Sequence, residues 1–274
     1  MNPRQSTASK AARILTIGLS ETPSTRLFLR RAVGLLFRAA IRLRSRPFPF
    51  DSIESALVIA PHPDDEAFGC GGTMALMARR QAELSLIFLT DGGASHPGHP
   101  TVSPSEIAQR RKGEAHVALA ALGVMAERAT FLDARDGALS RLDASECGGL
   151  EAKIAALLTQ EIPAVVFLPG RRDGSTEHEA AFTLFARAVK QAGLQPRVFE
   201  FPVWSWWNPT LLLSPLFSCR RIWRVDIKPV LEMKVRALAS YSSQTLPIPP
   251  QLDPALPPGF ASMFLGGSEY FFEW

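Results

Sequence analysis

A histidine and three consecutive acidic side chains directly follow a short apolar run, at His62, Asp64, Asp65 and Glu66. Such a cluster is costly to bury unless it is hydrated, paired or bound to a cation. His62 and Asp65 are three residues apart around a proline, so a single ion can contact both side chains. Imidazole nitrogen together with carboxylate oxygen is typical of Zn²⁺ and similar divalent transition metals. In the alternative without a metal, the two aspartates cap the helix that follows.

A catalytic zinc site takes three protein ligands and leaves a position for water. His178 is the predicted third ligand, because it follows the predicted strand 164–169 and opens a predicted helix. Zinc lowers the pKa of a bound water to about 7. Asp64 is adjacent to the ligand Asp65 but is not needed for coordination, so it is the predicted general base. A Mg²⁺ site is a further alternative, although Mg²⁺ favours carboxylates and phosphate over two histidines.

Apolar runs that alternate with helical patterns predict an α/β fold from residue 53 onward. The predicted strands are 55–60, 84–90, 129–133, 164–169 and 197–204, and helices are predicted at 104–122, 147–160 and 177–193. This alternation predicts a mainly parallel sheet with helices on both faces. Ligands bind beyond the carboxyl ends of the strands in such folds. That rule selects residues 61–66, 91–99 and 169–178, where the histidines and paired acids collect.

The composition adds constraints on the C-terminal region and on the compartment. Many of the 22 prolines lie between Pro202 and Pro258, which predicts a proline-rich, irregular C-terminal region. The three cysteines are far apart with no CxxC spacing, so they favour neither a disulfide framework nor a thiolate zinc site. Reducing cytoplasm is the simplest interpretation. We find no apolar run near the ~18–20 residues that span a bilayer and no clear signal peptide.

Positive charge is concentrated in the first 50 residues, which hold ten Lys or Arg and one acid, Glu21. The remainder is mildly acidic, unlike a uniformly basic nucleic-acid binder, so we expect no nucleic-acid partner. We predict a basic N-terminal extension over 1–50, poorly anchored over 1–20, and a catalytic domain over 51–274.

Residues 26–46 predict a short basic amphipathic helix in that extension. Its apolar side is predicted to carry Leu29, Val33, Leu36, Ala40 and Leu43. Such a helix can lie on an anionic membrane surface, which would place the protein peripherally on a membrane. In one alternative, the helix packs on the catalytic domain with a solvated basic face. In another, the arginines and scarce acids belong to a mitochondrial presequence.

The stretch VIAPHPDDEAFGCGGTMA (58–75) resembles the signature of the PIG-L/LmbE-like de-N-acetylase family. That family includes N-acetylglucosaminyl-phosphatidylinositol deacetylases and the mycothiol-pathway deacetylase. Further elements agree in order: LTDGG (89–93), RKGEAHVALAALGV (111–124), Asp136-Gly137, DGSTEHEAA (173–181), and KVRALASYSSQ (234–244) with the late Glu269. The resemblance covers roughly residues 53–274 and implies a Rossmann-like fold.

The resemblance also implies roles for these residues. It implies a zinc ion held by His62, Asp65 and His178, with Asp64 as the general base. Hydroxide then attacks the amide carbonyl next to the zinc.

Two further residues are assigned to the substrate by the resemblance. It implies that Arg111 and Asp136 face the sugar hydroxyls. In the alternative for Arg111, it is a helix-surface arginine paired with Glu114 or Glu106.

One departure from the family pattern concerns the residue three positions before the ligand histidine. The family has a histidine there, thought to stabilise the oxyanion or protonate the leaving amine, whereas this sequence has Ser175. Serine donates a hydrogen bond but is not a cation near neutral pH. Either the metal compensates, or His96 or His99 in the loop after the second strand takes over, unless that loop is simply solvent-exposed. Glu177 replaces a family aspartate and is predicted to orient an amine or a ligand.

The residues and the resemblance together predict a zinc-dependent hydrolase that removes the N-acetyl group from a GlcNAc-type amino sugar. A glycoconjugate or glycolipid substrate would suit the amphipathic N terminus and the apolar stretch 208–217, although that stretch could equally form a buried helix. One alternative is a sugar-binding protein of the same fold without activity, in which Ser175 marks lost chemistry. The other is an amidase for a different N-acyl substrate.

Overall fold

The computed structural model describes residues 25–50 and 53–273, with side chains of the first helix described from residue 33 onward. The prediction for residues 1–20 therefore lies outside the described residues. The predicted position of the Leu29 side chain lies outside them as well.

The described residues form nine α-helices and eight strands, joined by turns and short 3₁₀ segments. The strands are β1 Ser45–Pro47, β2 Ser55–Ala60, β3 Glu83–Thr90, β4 Ala129–Ala134, β5 Val165–Pro169, β6 Arg197–Phe201, β7 Arg221–Asp226 and β8 Ser268–Glu273. The helices are α1 Thr25–Arg44, α2 Asp65–Arg79, α3 Pro104–Leu122, α4 Ala144–Glu161, α5 Thr176–Ala192, α6 Trp204–Trp207, α7 Leu213–Ser218, α8 Leu231–Ser240 and α9 Ser242–Thr245.

The eight strands make one sheet in the order β1-β7-β8-β6-β5-β2-β3-β4. Strands β6, β5, β2, β3 and β4 are parallel neighbours, which confirms the predicted mainly parallel sheet. The exception is β8, which runs antiparallel between β6 and β7. The short strand β1 pairs in parallel with β7 and forms the far edge.

Alternate residues of the central strands enter two separate hydrophobic cores, one on each face of the sheet. In β2, Leu57 and Ile59 pack against α4 and α5, whereas Val58 belongs to the core under α2, α3 and α8. Both faces are therefore covered by helices, as the sequence predicts. This arrangement leaves the carboxyl ends of β2, β3 and β5 together at one edge of the sheet.

The C-terminal region contains more regular structure than its prolines suggest. It supplies β7, α8 and β8, and irregular turns are confined largely to residues 246–267. The prediction of an irregular region around Pro202–Pro258 is therefore not confirmed, because β7 and α8 lie within that stretch. The physical reason is that β7 has only six residues, in which buried Ile222, Trp223 and Val225 are mixed with charged residues without regular alternation, so its pattern does not stand out.

Two glycines allow α2 to pack closely against the side chains of Phe201 and Ile227. A Cβ atom on Gly69 would lie 2.0 Å from Cδ2 of Phe201, and one on Gly72 would lie 2.6 Å from Cγ2 of Ile227. Real Cβ atoms do not approach other atoms so closely, so any side chain there would push α2 away. These contacts set the position of α2, whose first residue is Asp65.

The N-terminal helix α1 packs on the rest of the protein along one side. Ile41 is completely buried, and Nη2 of Arg38 donates to the carbonyl of Met263 at 2.6 Å. The Arg38 guanidinium also lies 4.0 Å from the ring centroid of Trp206. The predicted helix is thus present and packed against the domain. Within the described part of the chain, every helix is too short or too polar to cross a bilayer.

Candidate metal and catalytic site

The predicted ligand residues meet at the carboxyl edge of the parallel strands. His62 and Asp65 follow β2, and His178 lies in the first turn of α5, just after β5. A cleft of about 570 Å³ opens at this edge, lined by His62, Asp64 and Asp65 among others. The topology therefore brings together two segments that are more than a hundred residues apart in the sequence.

His62, Asp65 and His178 lie within reach of one ion. Nδ1 of His62 is 3.1 Å from Oδ2 of Asp65, and Nε2 of His178 is 3.2 Å from Oδ1 of the same carboxylate. One ligand atom from each residue lies within 4.8 Å of the other two. Nε2 of His178 is buried and makes no hydrogen bond of good geometry to any described residue. A buried nitrogen without such a partner, facing a carboxylate and a second imidazole, fits a divalent cation.

The second ring nitrogen of each histidine contacts a different aspartate. Nδ1 of His178 lies 2.8 Å from Oδ2 of Asp173, and Nε2 of His62 lies 3.1 Å from Oδ1 of Asp136. A carboxylate in this place fixes the tautomer and the ring orientation of a metal-binding histidine. Asp136, predicted to face the sugar, also lines the cleft but is engaged with His62.

The sequence analysis did not single out Asp173, which contacts the predicted ligand His178 from a fully buried position. Its Oδ1 accepts hydrogen bonds from the backbone N–H groups of Val203 and Ser205 at 3.0 and 2.9 Å and from the Ser205 hydroxyl. Its Oδ2 accepts from the backbone N–H of Trp204 at 2.9 Å as well as from His178. Asp173 thus ties the ligand histidine to the start of α6. The available signal was an acid five residues before that histidine.

The charges of His62, Asp65 and His178 strongly influence one another. Burial lowers the pKa of both imidazoles, but the neighbouring carboxylates outweigh it and raise the pKa of His62 to about 9 and that of His178 to about 10. Burial raises the pKa of the Asp65 carboxyl, yet His178 and His62 hold it well below its usual range. Without a metal, both imidazoles therefore carry protons at neutral pH, and a cation would take the place of that positive charge.

Asp64 lies beside the trio and lines the cleft in an unusual backbone conformation. Its φ is 142°, which non-glycine residues rarely adopt. Its N–H donates to Oε2 of Glu66 at 3.0 Å, and its carboxylate lies 3.0 Å from Nη2 of Arg111. Burial raises the pKa of Asp64 to about 7, although Arg111 opposes the shift. A carboxyl group that titrates near neutral pH is suited to accept and release a proton.

Arg111 is buried under the loops that carry the site. It donates to the carbonyl oxygens of Gly92 at 3.0 Å and Pro63 at 2.7 Å, besides contacting Asp64. The alternative of a surface ion pair on α3 is therefore not what the structure shows. Glu114 instead accepts from Ser243 and its neighbour on α9. Arg111 also lines the cleft. Its contact with a sugar stays a prediction.

Ser175 and Glu177 flank the start of α5. Ser175 is the N-cap of this helix, where its hydroxyl oxygen faces the N–H of His178 at 3.5 Å. It lines the cleft, so its hydroxyl hydrogen is available to a ligand. Glu177 is buried, and its Oε2 has no hydrogen-bond partner in the described residues. Its carboxylate lies near His62 and Asp136, and its role toward a substrate stays a prediction.

His96 and His99 lie outside this cleft and line a neighbouring one. Both nitrogens of His99 are engaged within its own surroundings: Nε2 with the carbonyl of Ile248 at 3.0 Å, and Nδ1 with the N–H of Val102 at 3.1 Å. His96 is buried, with Nδ1 3.0 Å from the hydroxyl of Ser95. Neither residue is among those that line the cleft beside His62 and Asp65, and their predicted part in the chemistry stays a prediction. Ser95 does line that cleft.

The rest of the cleft combines aromatic and amide side chains. Trp204, Phe68 and Phe260 form apolar walls, and Gln244 supplies an amide whose Nε2 donates to Ser95 at 3.2 Å. Residues from α6 and α9 thus join those of the parallel strands. The sequence analysis did not single out Gln244, although it lies in the segment 234–244 that carried the family resemblance.

Fold and site together define an α/β protein with a candidate single-metal centre at the carboxyl edge of a parallel sheet. Residues 57–189 match the family described as PIG-L, GlcNAc-PI de-N-acetylase. The diacetylchitobiose deacetylase of Thermococcus kodakarensis is 30% identical to this chain over 201 residues, which are 72% of each protein. The chain therefore belongs to the PIG-L family of de-N-acetylases, which are hydrolases acting on amide bonds.

Solved structures share the fold at lower sequence identity. The N,N'-diacetylchitobiose deacetylase of Pyrococcus horikoshii superimposes with a TM-score of 0.55, at 22% identity and with 81% of both chains covered. GalB of Pseudomonas putida KT2440, a 4-carboxy-2-hydroxymuconate hydratase, gives a TM-score of 0.56 at 19% identity, with 70% of this chain and 80% of GalB covered. Because a deacetylase and a hydratase share this architecture, the activity must be argued from the family match and the site.

Proposed function

We propose that this protein is a divalent-metal-dependent deacetylase, with zinc as the metal, that hydrolyses the N-acetyl group of a GlcNAc-type amino sugar. The proposal is carried by one observation. Ligand atoms of His62, Asp65 and His178 lie within 4.8 Å of one another, and Nε2 of His178 is buried with no hydrogen-bond partner among the described residues. Asp64 lies next to these residues, and burial raises the pKa of its carboxyl group to about 7. The similarity to a diacetylchitobiose deacetylase supports an amino sugar as the substrate.

The metal and the base have separate tasks in this proposal. When bound, zinc supplies Lewis acidity toward the amide carbonyl and acidifies a water molecule. Asp64 accepts a proton from the attacking water and later gives a proton to the leaving amine. Arg111 holds the Asp64 carboxylate in place from 3.0 Å. Asp136 and Asp173 hold the two imidazoles through their second nitrogens.

The cleft offers groups for the developing oxyanion and for the sugar. We propose that the Ser175 hydroxyl donates to the oxyanion, in the place where the family has a histidine. Trp204 presents a ring to the cleft on which an apolar sugar face can stack. Arg111, Asp136 and Glu177 are proposed to contact the sugar or the amine, Asp136 in addition to its contact with His62.

We extend the proposal to a lipid-linked amino sugar or other glycoconjugate and to peripheral attachment on the cytoplasmic side of a membrane. The support is the basic N-terminal segment, with ten Lys or Arg and one acid in residues 1–50. A headgroup substrate has to be reached at the bilayer surface, so a surface-bound enzyme has the appropriate geometry.

The test is acetate release by the zinc-loaded protein from a panel of N-acetyl amino sugars and N-acetyl amino acids. We expect release from GlcNAc conjugates, including N,N'-diacetylchitobiose, and none from N-acetyl amino acids. Release only from the amino acids would establish a different amidase. Zinc binding with no acetate release from the whole panel would contradict the proposal and favour a sugar-binding protein without activity.

A further inference from the structure

The packed side of α1 leaves its other side exposed, and that side carries large apolar residues together with arginines. Leu35, Leu36 and Leu43 are 68%, 71% and 87% exposed. Leu36 and Leu43 belong to the apolar side predicted from the sequence, whereas the helix packs through Arg38 and Ile41. Large apolar side chains exposed on one helix face mark a site of interaction.

Helix α7 lies beside α1 and adds further apolar area. Leu213 is 49% exposed and Phe217 is 72% exposed. The guanidinium of Arg44 lies 5.9 Å from the centroid of the Phe217 ring, which places the end of α1 next to α7. We call Leu35, Leu36, Leu43, Leu213 and Phe217 together the α1–α7 surface.

The α1–α7 surface is bordered by basic side chains. Arg42, Arg44, Arg46 and Arg220 are exposed. Among the residues that the structure describes, neither Arg42 nor Arg44 forms an ion pair with a carboxylate. Exposed leucines and a phenylalanine beside exposed arginines complement a lipid bilayer whose interior is apolar and whose headgroups are anionic.

The same surface is connected to the catalytic cleft. Nη1 of Arg172 donates to the Ser214 hydroxyl of α7 at 3.0 Å, and Arg172 directly precedes Asp173. A Cβ atom on Gly174, a residue that lines the cleft, would lie 2.4 Å from Cδ1 of Leu211. The segment leading into α7 therefore packs against the loop that carries Asp173 and Ser175.

We propose that the α1–α7 surface binds the interface of an anionic lipid bilayer and holds the catalytic cleft close to the headgroups. The apolar side chains enter the region between headgroups and acyl chains, and the arginines contact lipid phosphates. Membrane binding by this surface would bring the proposed deacetylase to a lipid-linked substrate. Only the identity of that substrate rests on the proposed function.

The experiment is sedimentation of the full chain with vesicles of phosphatidylcholine, alone or mixed with phosphatidylglycerol, at low and high salt. We expect binding to the mixed vesicles that weakens as salt rises, because salt screens the attraction of the arginines. The triple variant Leu36→Glu/Leu43→Glu/Phe217→Glu should lose at least about tenfold in vesicle affinity, because charged side chains resist entry into the interface. Arg42→Gln/Arg44→Gln should lose roughly fivefold for each arginine.

Val117→Glu is the matched control, since Val117 is 60% exposed on α3, which lies against α8 and α9 rather than α1. It should bind vesicles like the unmodified chain. Acetate release from a water-soluble amino sugar should be equal in all variants, so loss of vesicle binding is separable from failure of the deacetylase proposal. Absence of wild-type binding to the mixed vesicles, or equal binding by the triple variant, would overturn the inference. An apolar protein partner would then be the remaining occupant of this surface.

Discussion

Nδ1 of His178 lies 2.8 Å from Oδ2 of Asp173, and both side chains are fully buried. Because an ionised carboxylate only accepts hydrogen bonds, Nδ1 carries the hydrogen and Nε2 is left for the metal. The same carboxylate accepts three backbone N–H groups at the start of α6. One aspartate therefore orients the proposed ligand His178 and positions the cleft wall that carries Trp204.

Asp173→Asn should weaken zinc binding by roughly 10–100-fold, because an amide cannot replace every hydrogen bond of the carboxylate or hold the imidazole equally well. The measurement is zinc competition with a chromophoric chelator. Asp253→Asn, at an exposed position, is the control and should leave the affinity unchanged. Unchanged zinc affinity in Asp173→Asn would show that His178 needs no such partner.

Asp64→Asn should bind zinc normally but lose activity by about 10²-fold or more, because the amide cannot accept the water proton. Metal content by elemental analysis and acetate release measure the two properties separately. Normal turnover by the zinc-loaded variant would remove Asp64 as the base.

Ser175→Ala should lower kcat on the order of 10²-fold with little change in KM, since a donor to the oxyanion acts mainly in the transition state. It should also cost about 1 kcal/mol of unfolding free energy through loss of the N-cap. Ser175→Thr keeps the hydroxyl and should retain most activity. Equal kcat values for the alanine variant and the unmodified chain would assign Ser175 to capping alone.

Zinc affinity should rise with pH from about 6 to 9. Because the pKa values of His62 and His178 are about 9 and 10, both rings are doubly protonated over most of this pH range, and zinc must displace a proton from each. Each displaced proton contributes up to about tenfold in affinity per pH unit, so the rise levels off as pH passes these values. Isothermal titration in buffers of different ionisation enthalpy counts the protons released. A pH-independent affinity with no proton release would contradict this charge distribution.

Lys234→Met should destabilise the fold by about 3–5 kcal/mol, because it leaves the buried Glu269 carboxylate without its cation. Nζ of Lys234 lies 2.6 Å from Oε1 of Glu269, and that carboxylate also accepts the N–H groups of Gly72 and Thr73 in α2. Denaturant unfolding measures the change. Lys112→Met removes an exposed pair with Asp133 and should cost no more than about 1 kcal/mol. Similar losses in both variants would contradict a special role for the buried pair.

The elements with strong local signals were predictable from the sequence. Helix α3 begins and ends where predicted, because Ser103 and Glu106 form a capping box and Gly123 adopts a φ of 77° at the other end. The strands of the parallel core were likewise visible as apolar runs, although the predicted strand 197–204 runs three residues past the observed end of β6 at Phe201. The convergence of His62 and His178 followed from the rule that parallel strands end at one edge.

The parts that depend on contacts between distant segments were not predictable. Arg111 is held by the carbonyl oxygens of Pro63 and Gly92, and no pattern around Arg111 indicates which backbone oxygens surround it. Strand β8 gains its place from β6 and β7 on either side, so its own six residues carry little signal. His99 was drawn toward the site by topology alone, whereas its hydrogen bonds tie it to Ile248.

The insertion of β8 between β6 and β7 affects the order of assembly. During synthesis α1, β1 and β7 emerge before β8. Until β8 is made, the pair β1–β7 lacks the strand that joins it to β6 in the finished sheet. The parallel strands around β2 and β5 need no such late segment. A nascent chain can therefore shape the ligand loop while it is still on the ribosome, but α2 lacks its Glu269 acceptor until the final strand docks.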